Sequence, residues 1–355
     1  MSRLLIFVIF LGALDANAQP GFNRSYDMGG LAAAFGGIEV SGDTVIVYGT
    51  GYEPDASAFG MLFARLDTFG NVIDYKIYND SLGDDFTLVY PNSFIKLSDG
   101  SGYVGVGQFF YRKNGYLVSF NNEGLVTNLT EIIDSTSEVD FYYQVIECLG
   151  GYMIAGLKFR WVGELELFVS RVDKQGNIVW EKNYGKVTRN DLFGSIIQSN
   201  SNEYVIGGGT TSLQATPSFQ VKNTSRIFAI DSLGNIKWQW ESQPSLAEMG
   251  AGQIYRTSDH NWLYSSACAW YDAMYNAIYL RPTTIIRDTN FNLIRTDTFG
   301  VEMSNTQYFA NLLPLQDHGL LALGTIPVAY GDGVQPDAYN ALSGWFIRFD
   351  STATP

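Results

Sequence analysis

The chain has 355 residues, enough for two average domains or one large all-β domain. Its 22 basic and 36 acidic residues give a net charge of −14, which argues against nucleic acid and against an anionic membrane surface as partners, since both need clustered Lys and Arg. Two cysteines, Cys148 and Cys268, are too few for a disulfide framework or a cysteine-rich zinc site; lying two repeats apart in different strands, they read as buried free thiols.

Residues 1–18 read as a signal peptide. Arg3 is the positive start, residues 4–14 are an apolar run too short to span a bilayer, and Ala16-Asn17-Ala18 is a small-residue cleavage site. The mature chain is expected to begin at Gln19. The residue directly after the cleavage site is Gln19 and not Cys, which argues against a lipid anchor, and no later stretch has the apolar length of a membrane span. The expected location is therefore secreted or cell-surface.

The rest is built on a repeat. Asp67-Thr-Phe-Gly-Asn, Asn121-Asn-Glu-Gly-Leu, Asp173-Lys-Gln-Gly-Asn, Asp231-Ser-Leu-Gly-Asn and Asp288-Thr-Asn-Phe-Asn recur, ending at Asp350, in steps of 54, 52, 58, 57 and 62 residues. A period of that size means stacked or circular small units. In the third unit 143–148, 152–157, 167–172 and 178–184 are β-branched and aromatic runs bounded by turn residues, so each unit reads as four strands, a to d. The Asp-x-x-Gly-Asn phrase suits a c–d hairpin with a bulge, and Phe291 in the Gly slot predicts a different turn in the fifth unit. Gly49, Gly107, Gly156, Gly208 and Gly324, with Ser266 in the fifth unit, mark strand b and suggest units packed face to face around an axis.

Four-stranded units repeated six times predict a six-bladed β-propeller, with blades near 31–80, 81–136, 137–189, 190–246, 247–303 and 304–355 in one domain, 19–355. The sixth unit has strands a, b and c but no d. The segment 22–27 is expected to pair with the last strand and close the ring, because open edges cost stability. The alternatives are an open β-solenoid or a seven-bladed ring completed by another chain.

The run from Asp173 through Trp180, Lys182 and Tyr184 to Gly185 resembles the Asp-x-x-Gly-Asn-x-x-Trp-x-Lys-x-Tyr-Gly phrase of secreted bacterial β-propeller repeat proteins, and Asp99-Gly100-Ser101-Gly102-Tyr103 resembles their b-strand hairpin. Such proteins are common where type IX secretion operates, often ahead of a C-terminal sorting domain. No sorting domain is present in this chain, so the resemblance implies continuation after Pro355 or another export route. It implies little about chemistry.

A propeller puts its b–c and d–a loops on one face. The b–c loops are long and aromatic, and Phe110, Tyr111, Trp161, Trp270, Tyr271, Tyr275 and Tyr330 are the candidate ligand-binding residues, suited to sugar rings or peptide side chains. The competing account is that these rings pin the loops. The d–a loops bring a row of acids; Asp85, Asp140 and Asp191 are candidate Ca²⁺ ligands, against the account, which the residues favour, of a solvated rim or turn capping. His260 and His318, in a–b turns, read as filling the slot of Asp99-Gly100, and no catalytic His site is supported. The turn phrase lacks the Ser-x-Asp-x-Gly spacing of sialidases and has one residue fewer before Gly than quinoprotein propellers.

The reading is thus a monomeric binding or adhesion propeller for a glycan, a cell-surface component or a secreted protein, more a binder than an enzyme. The alternatives are a glycosidase or lyase using rim carboxylates and a passive spacer.

Overall fold

The computed structural model describes residues 32–52, 58–67, 69–88, 90, 92–109, 112–133, 139–159, 165–185, 189–212, 223–245, 250–272, 277–299, 308–314, 320–327 and 342–349. Every regular element among them is a β-strand, and the strands form six antiparallel sheets in chain order. Sheets one, three, four and five have four strands each, laid side by side in sequence order. The second has five because its first strand is split into Phe86–Thr87 and Phe94–Lys96, both paired with Tyr103–Phe109. The sixth has three: Tyr308–Pro314, Leu320–Pro327 and Leu342–Phe349. The segment 22–27 lies outside the described residues, as do the signal segment and His318.

The strands fall where β-branched and aromatic runs place them. In the third sheet they are Val139–Cys148, Gly151–Phe159, Leu165–Asp173 and Ile178–Asn183. Inner strands are apolar on both faces because another sheet covers each face. Every residue of Tyr103–Phe109 is buried, whereas the fourth strand of the first sheet, Val72–Tyr78, is half exposed. The core consists of layers between successive sheets. Phe63 meets Phe94 and Phe120; Val106 and Leu117 meet Val145 and Phe168; Ile154's neighbour Met153 and Val169 meet Ile206 and Phe228; Val205 and Ile227 meet Ile254 and Trp262. First strands converge: 32–41 touches 94–96, which touches 139–148, then 189–200, then 254–256.

The repeated turn has a clear cause. Asp67 Oδ1 accepts from the N–H groups of Phe69 (2.9 Å) and Asn71 (2.7 Å), and Asn71 Nδ2 donates to Oδ2 (2.7 Å). Asp173, Asp231 and Asp288 repeat the pattern, and Asn121 supplies the two backbone acceptances through its own Oδ1. One residue of the fourth strand is bulged beside each turn, as Val179 is between Ile178 and Trp180, which pair with Val172 and Arg171. The fourth turn position needs a left-handed backbone, and Gly176 has φ +88°. Phe291 corrects the expectation of a different fifth turn: it takes φ +64° and keeps the same bonds, Phe291 N–H to Asp288 O at 3.0 Å and Asp288 N–H to Asn292 O at 3.0 Å. Its ring is held by Trp240 (5.2 Å, 10°), Trp238 (5.4 Å) and Trp262 (6.0 Å, 7°).

The strand-b glycines also have a nearer explanation than blade-to-blade packing. Gly49, Gly156, Gly208 and Gly324 face residues at bulges in their own first strands, and a Cβ on Gly156 or Gly208 would collide with the carbonyl oxygens of Phe141 or Leu192.

Candidate functional site

Where the fourth strand's pairing ends, the third strand still presents outward N–H groups that need partners. The following sheet supplies them. Asp85 Oδ1 accepts from Phe59 N–H at 2.9 Å, Asn190 Oδ1 from Leu165 N–H at 2.9 Å, and Asp191 Oδ2 from Leu167 N–H at 3.2 Å. Asp140 stands opposite Lys158 in its own ladder, and its N–H donates to Lys113 O of the second sheet at 3.2 Å. The structure therefore does not bring Asp85, Asp140 and Asp191 together. They serve separate seams, Asp140 and Asp191 being buried, and no group of three His, Cys, Asp or Glu side chains able to hold a metal occurs among the described residues. Sequence reasoning placed these acids before the first strands but had no view of the amides they meet across the seam.

Three paired cations follow, one in each of sheets two to four: Lys158 and Arg226 are buried and Arg112 is partly buried. Arg112, in the b–c loop, pairs with Asp80 (2.8 Å), Asp84 (3.3 Å) and Glu131 (3.5 Å), lies 3.6 Å from the centre of the Phe109 ring, and donates its own N–H to Asp84 Oδ2 at 2.9 Å. Lys158 pairs with Glu181, which also accepts from Ser170 Oγ, and sits 4.9 Å over Phe168. Arg226 pairs with Glu241 (3.6 Å), donates to Tyr184 O and lies 4.6 Å over Phe228; burial draws its pKa down while Glu241 and Asp191 oppose that. Buried charge survives only with such matching.

Of the aromatic candidates, Phe110, Tyr111, Trp161, Tyr275 and Tyr330 lie outside the described residues. Trp270 and Tyr271 are in strand Trp262–Asp272, with Trp270 opposite Tyr279 and Tyr271 opposite Ile278. This corrects their placement on a loop: the fifth unit extends its b and c strands into a long hairpin, Trp262–Asp272 paired with Ala277–Arg287 throughout. Phe109 is likewise the buried last residue of its strand. His260 fills the slot of Gly100, with φ +63° beside +73°, and donates its N–H to Thr257 O at 2.9 Å as Gly100 does to Leu97 O at 3.0 Å. Cys148 is a half-buried free thiol whose pKa burial raises; Cys268 lies on the same strand as Trp270.

A row of rings went unnoticed in the sequence. Tyr90, Phe141, Tyr143 and Phe193 come from sheets two, three and four and are all partly exposed. Tyr143 lies 4.2 Å from Tyr90 at 72°, 5.8 Å from Phe193 at 13°, and 6.2 Å from Phe141 at 15°. A signal was present, since a Phe-Tyr-Tyr run lies in one first strand, Val139–Cys148, but the bulge that turns Tyr143 out of the ladder is not written in residue type.

No family model matches this chain, and no curated protein matches it. Solved structures do. An α-L-arabinofuranosidase of Fusarium graminearum with an iminosugar inhibitor is 12% identical, covers 90% of this chain and 92% of its own, and gives a TM-score of 0.54. An α-L-arabinanase of Penicillium chrysogenum complexed with arabinobiose is 12% identical over 88% and 91% of the two chains, with a TM-score of 0.50. The β-propeller domain of the Trilobed protease from Pyrococcus furiosus is 10% identical over 89% and 81%, with a TM-score of 0.46. At these identities the likeness is one of fold. The chain has the β-propeller fold: successive antiparallel sheets, packed face to face, converging on their first strands.

Proposed function

We propose that this chain is an exported, monomeric, six-bladed propeller that binds a glycan at its loop end, closed by pairing of residues 22–27 with the strand Leu342–Phe349. The observation that carries the binding reading is the fastening of Arg112. It follows Phe110 and Tyr111 directly, and three carboxylates and the Phe109 ring fix it at the loop's root. An aromatic loop with a rigid root is what recognition needs, since less ordering is left to be done on binding. Two propeller neighbours solved with arabinobiose or an iminosugar are in keeping with a sugar ligand. No helix among the described residues is long and apolar enough to cross a membrane. The test is a glycan array followed by calorimetric titration of the mature protein, with Trp161→Ala and Tyr111→Ala as loop variants. Binding that both variants weaken supports the reading; a blank array and flat titrations with arabinan, xylan and glucan fragments sink it.

The second reading, a glycoside hydrolase, is favoured by one local arrangement. Asp191 Oδ2 of the fourth sheet and the Glu166 side-chain stem of the third both stand where a Cβ on Gly185 would lie, which puts two acidic residues at one seam. Paired carboxylates suffice for that chemistry. Release of reducing sugar from arabinan, abolished by Glu166→Gln or Asp191→Asn, would replace the binding reading.

A further inference from the structure

In the first strands of the first, third, fourth and sixth sheets one residue beside the partner of the strand-b glycine stands outside the ladder. That residue is Gly36 in the first sheet, Gly194 in the fourth and Ala310 in the sixth, but Tyr143 in the third. A bulge swings its extra residue out of register and re-aims its side chain. Small residues fill the position without consequence, so a tyrosine there departs from the repeat, and such departures mark functional places. The side chain so aimed meets three other partly exposed rings: Tyr90, edge-on at 4.2 Å, and Phe193 and Phe141, within 15° of parallel at 5.8 and 6.2 Å. The four rings come from three consecutive sheets along the line where first strands converge.

We infer that Tyr90, Phe141, Tyr143 and Phe193 form a stacking floor for a neutral saccharide. The inference rests on the glycan-binding reading and gives it a place and a ligand class. Ring faces offer the apolar face of a pyranose or furanose a large contact at small entropic cost, and the two tyrosine hydroxyls supply polar partners for sugar hydroxyls. The charge of the surroundings argues for a neutral occupant. Arg112, Lys158 and Arg226 in the same three sheets are already matched by Asp80, Asp84, Glu131, Glu181 and Glu241. An acidic sugar would meet a chain of net charge −14 whose nearby cations are engaged.

The test titrates arabinotriose, xylotriose, cellotriose and maltotriose, with trigalacturonate as the charged probe, into the mature protein. The variants are Tyr143→Ala, Phe193→Leu, Tyr90→Phe and the loop variant Trp161→Ala, each with a thermal melt. The expected result is that a neutral probe binds, that Tyr143→Ala weakens it about tenfold or more, and that Phe193→Leu and Tyr90→Phe weaken it about threefold with the melt unchanged. The two conservative variants keep the test decisive where Tyr143→Ala misfolds. Neutral binding that Trp161→Ala removes and the ring variants leave intact overturns the floor while the glycan reading stands. Preference for trigalacturonate also overturns it. Absence of binding by all five probes overturns both.

Discussion

Phe291 holds a backbone conformation that its four counterparts give to glycine. A non-glycine residue there costs about 1–2 kcal/mol. Its ring stacks on Trp240 and Trp262 and leans on Trp238, and each such pair contributes about 0.5–1.5 kcal/mol. Packing therefore outweighs strain, and Phe291→Gly is expected to destabilise by about 1–3 kcal/mol in urea titration; a raised midpoint would show that strain dominates. The turn aspartates make a second residue-scale prediction. Hydrogen bonds from Asn177 and Asn292 hold Asp173 and Asp288 below the ordinary carboxylate pKa, and the Asn235 backbone amide does the same for Asp231. A lowered folded pKa contributes stability above the unfolded value, near ~3.9, which is lost as pH falls through the folded value. Melting temperature should thus drop on acidification below about pH 4, and the triple variant D173N/D231N/D288N should flatten that limb, since Asn121 already makes the same backbone bonds without a charge.

The fourth strands explain the repeated phrase. In the third sheet Trp180 Nε1 donates to Ser232 O (3.0 Å), Lys182 Nζ to Asn235 Oδ1 (2.9 Å) and Tyr184 Oη to Gly234 O (2.8 Å), all in the next sheet's turn. Lys76 and Tyr78 of the first sheet reach Glu123 O and Gly124 O in the same way, both at 2.6 Å. Tyr184→Phe strands a buried carbonyl and should cost about 1 kcal/mol by denaturant titration. Lys158→Ala leaves Glu181 uncompensated and should cost about 3–5 kcal/mol, whereas the pair Lys158→Met with Glu181→Leu should be near neutral. The strands themselves were legible because β-branched alternation and the Asp-x-x-Gly-Asn turn are local. The acids were not: Asp85 and Asp191 act on Phe59 and Leu167, 26 and 24 residues earlier, and one-dimensional reading sees the carboxylate without the amide.

Across the molecule each described seam from first sheet to fifth is tied near the convergent edge. Tyr48 Oη accepts from Asn92 N–H (3.1 Å), and Asn92 O from Val145 N–H (3.2 Å). Gln144 bonds both backbone groups of Ile196 (2.9 Å each), and Ser195 Oγ accepts from Ile254 N–H (2.9 Å). Gln144 and Ser195 each directly follow a bulge, and Asn311 holds that register position in the sixth sheet. A closed ring expects Asn311→Ala to lower the melting temperature as much as Gln144→Ala; an open array expects no loss. The sheets could be read from the repeat period, but the ties could not, because Gln, Ser and Asn share a place in the ladder and no letter in the alphabet.

The stacking around Phe291 has a use at the bench. Trp238 of the fourth sheet and Trp262 of the fifth lie 5.7 Å apart, with Arg256 3.7 Å above the Trp262 ring. Two indoles so close form a coupled chromophore pair spanning a single joint. Near-ultraviolet dichroism and emission colour will therefore register the parting of those two sheets, giving the molecule an intrinsic optical gauge for one defined fracture line.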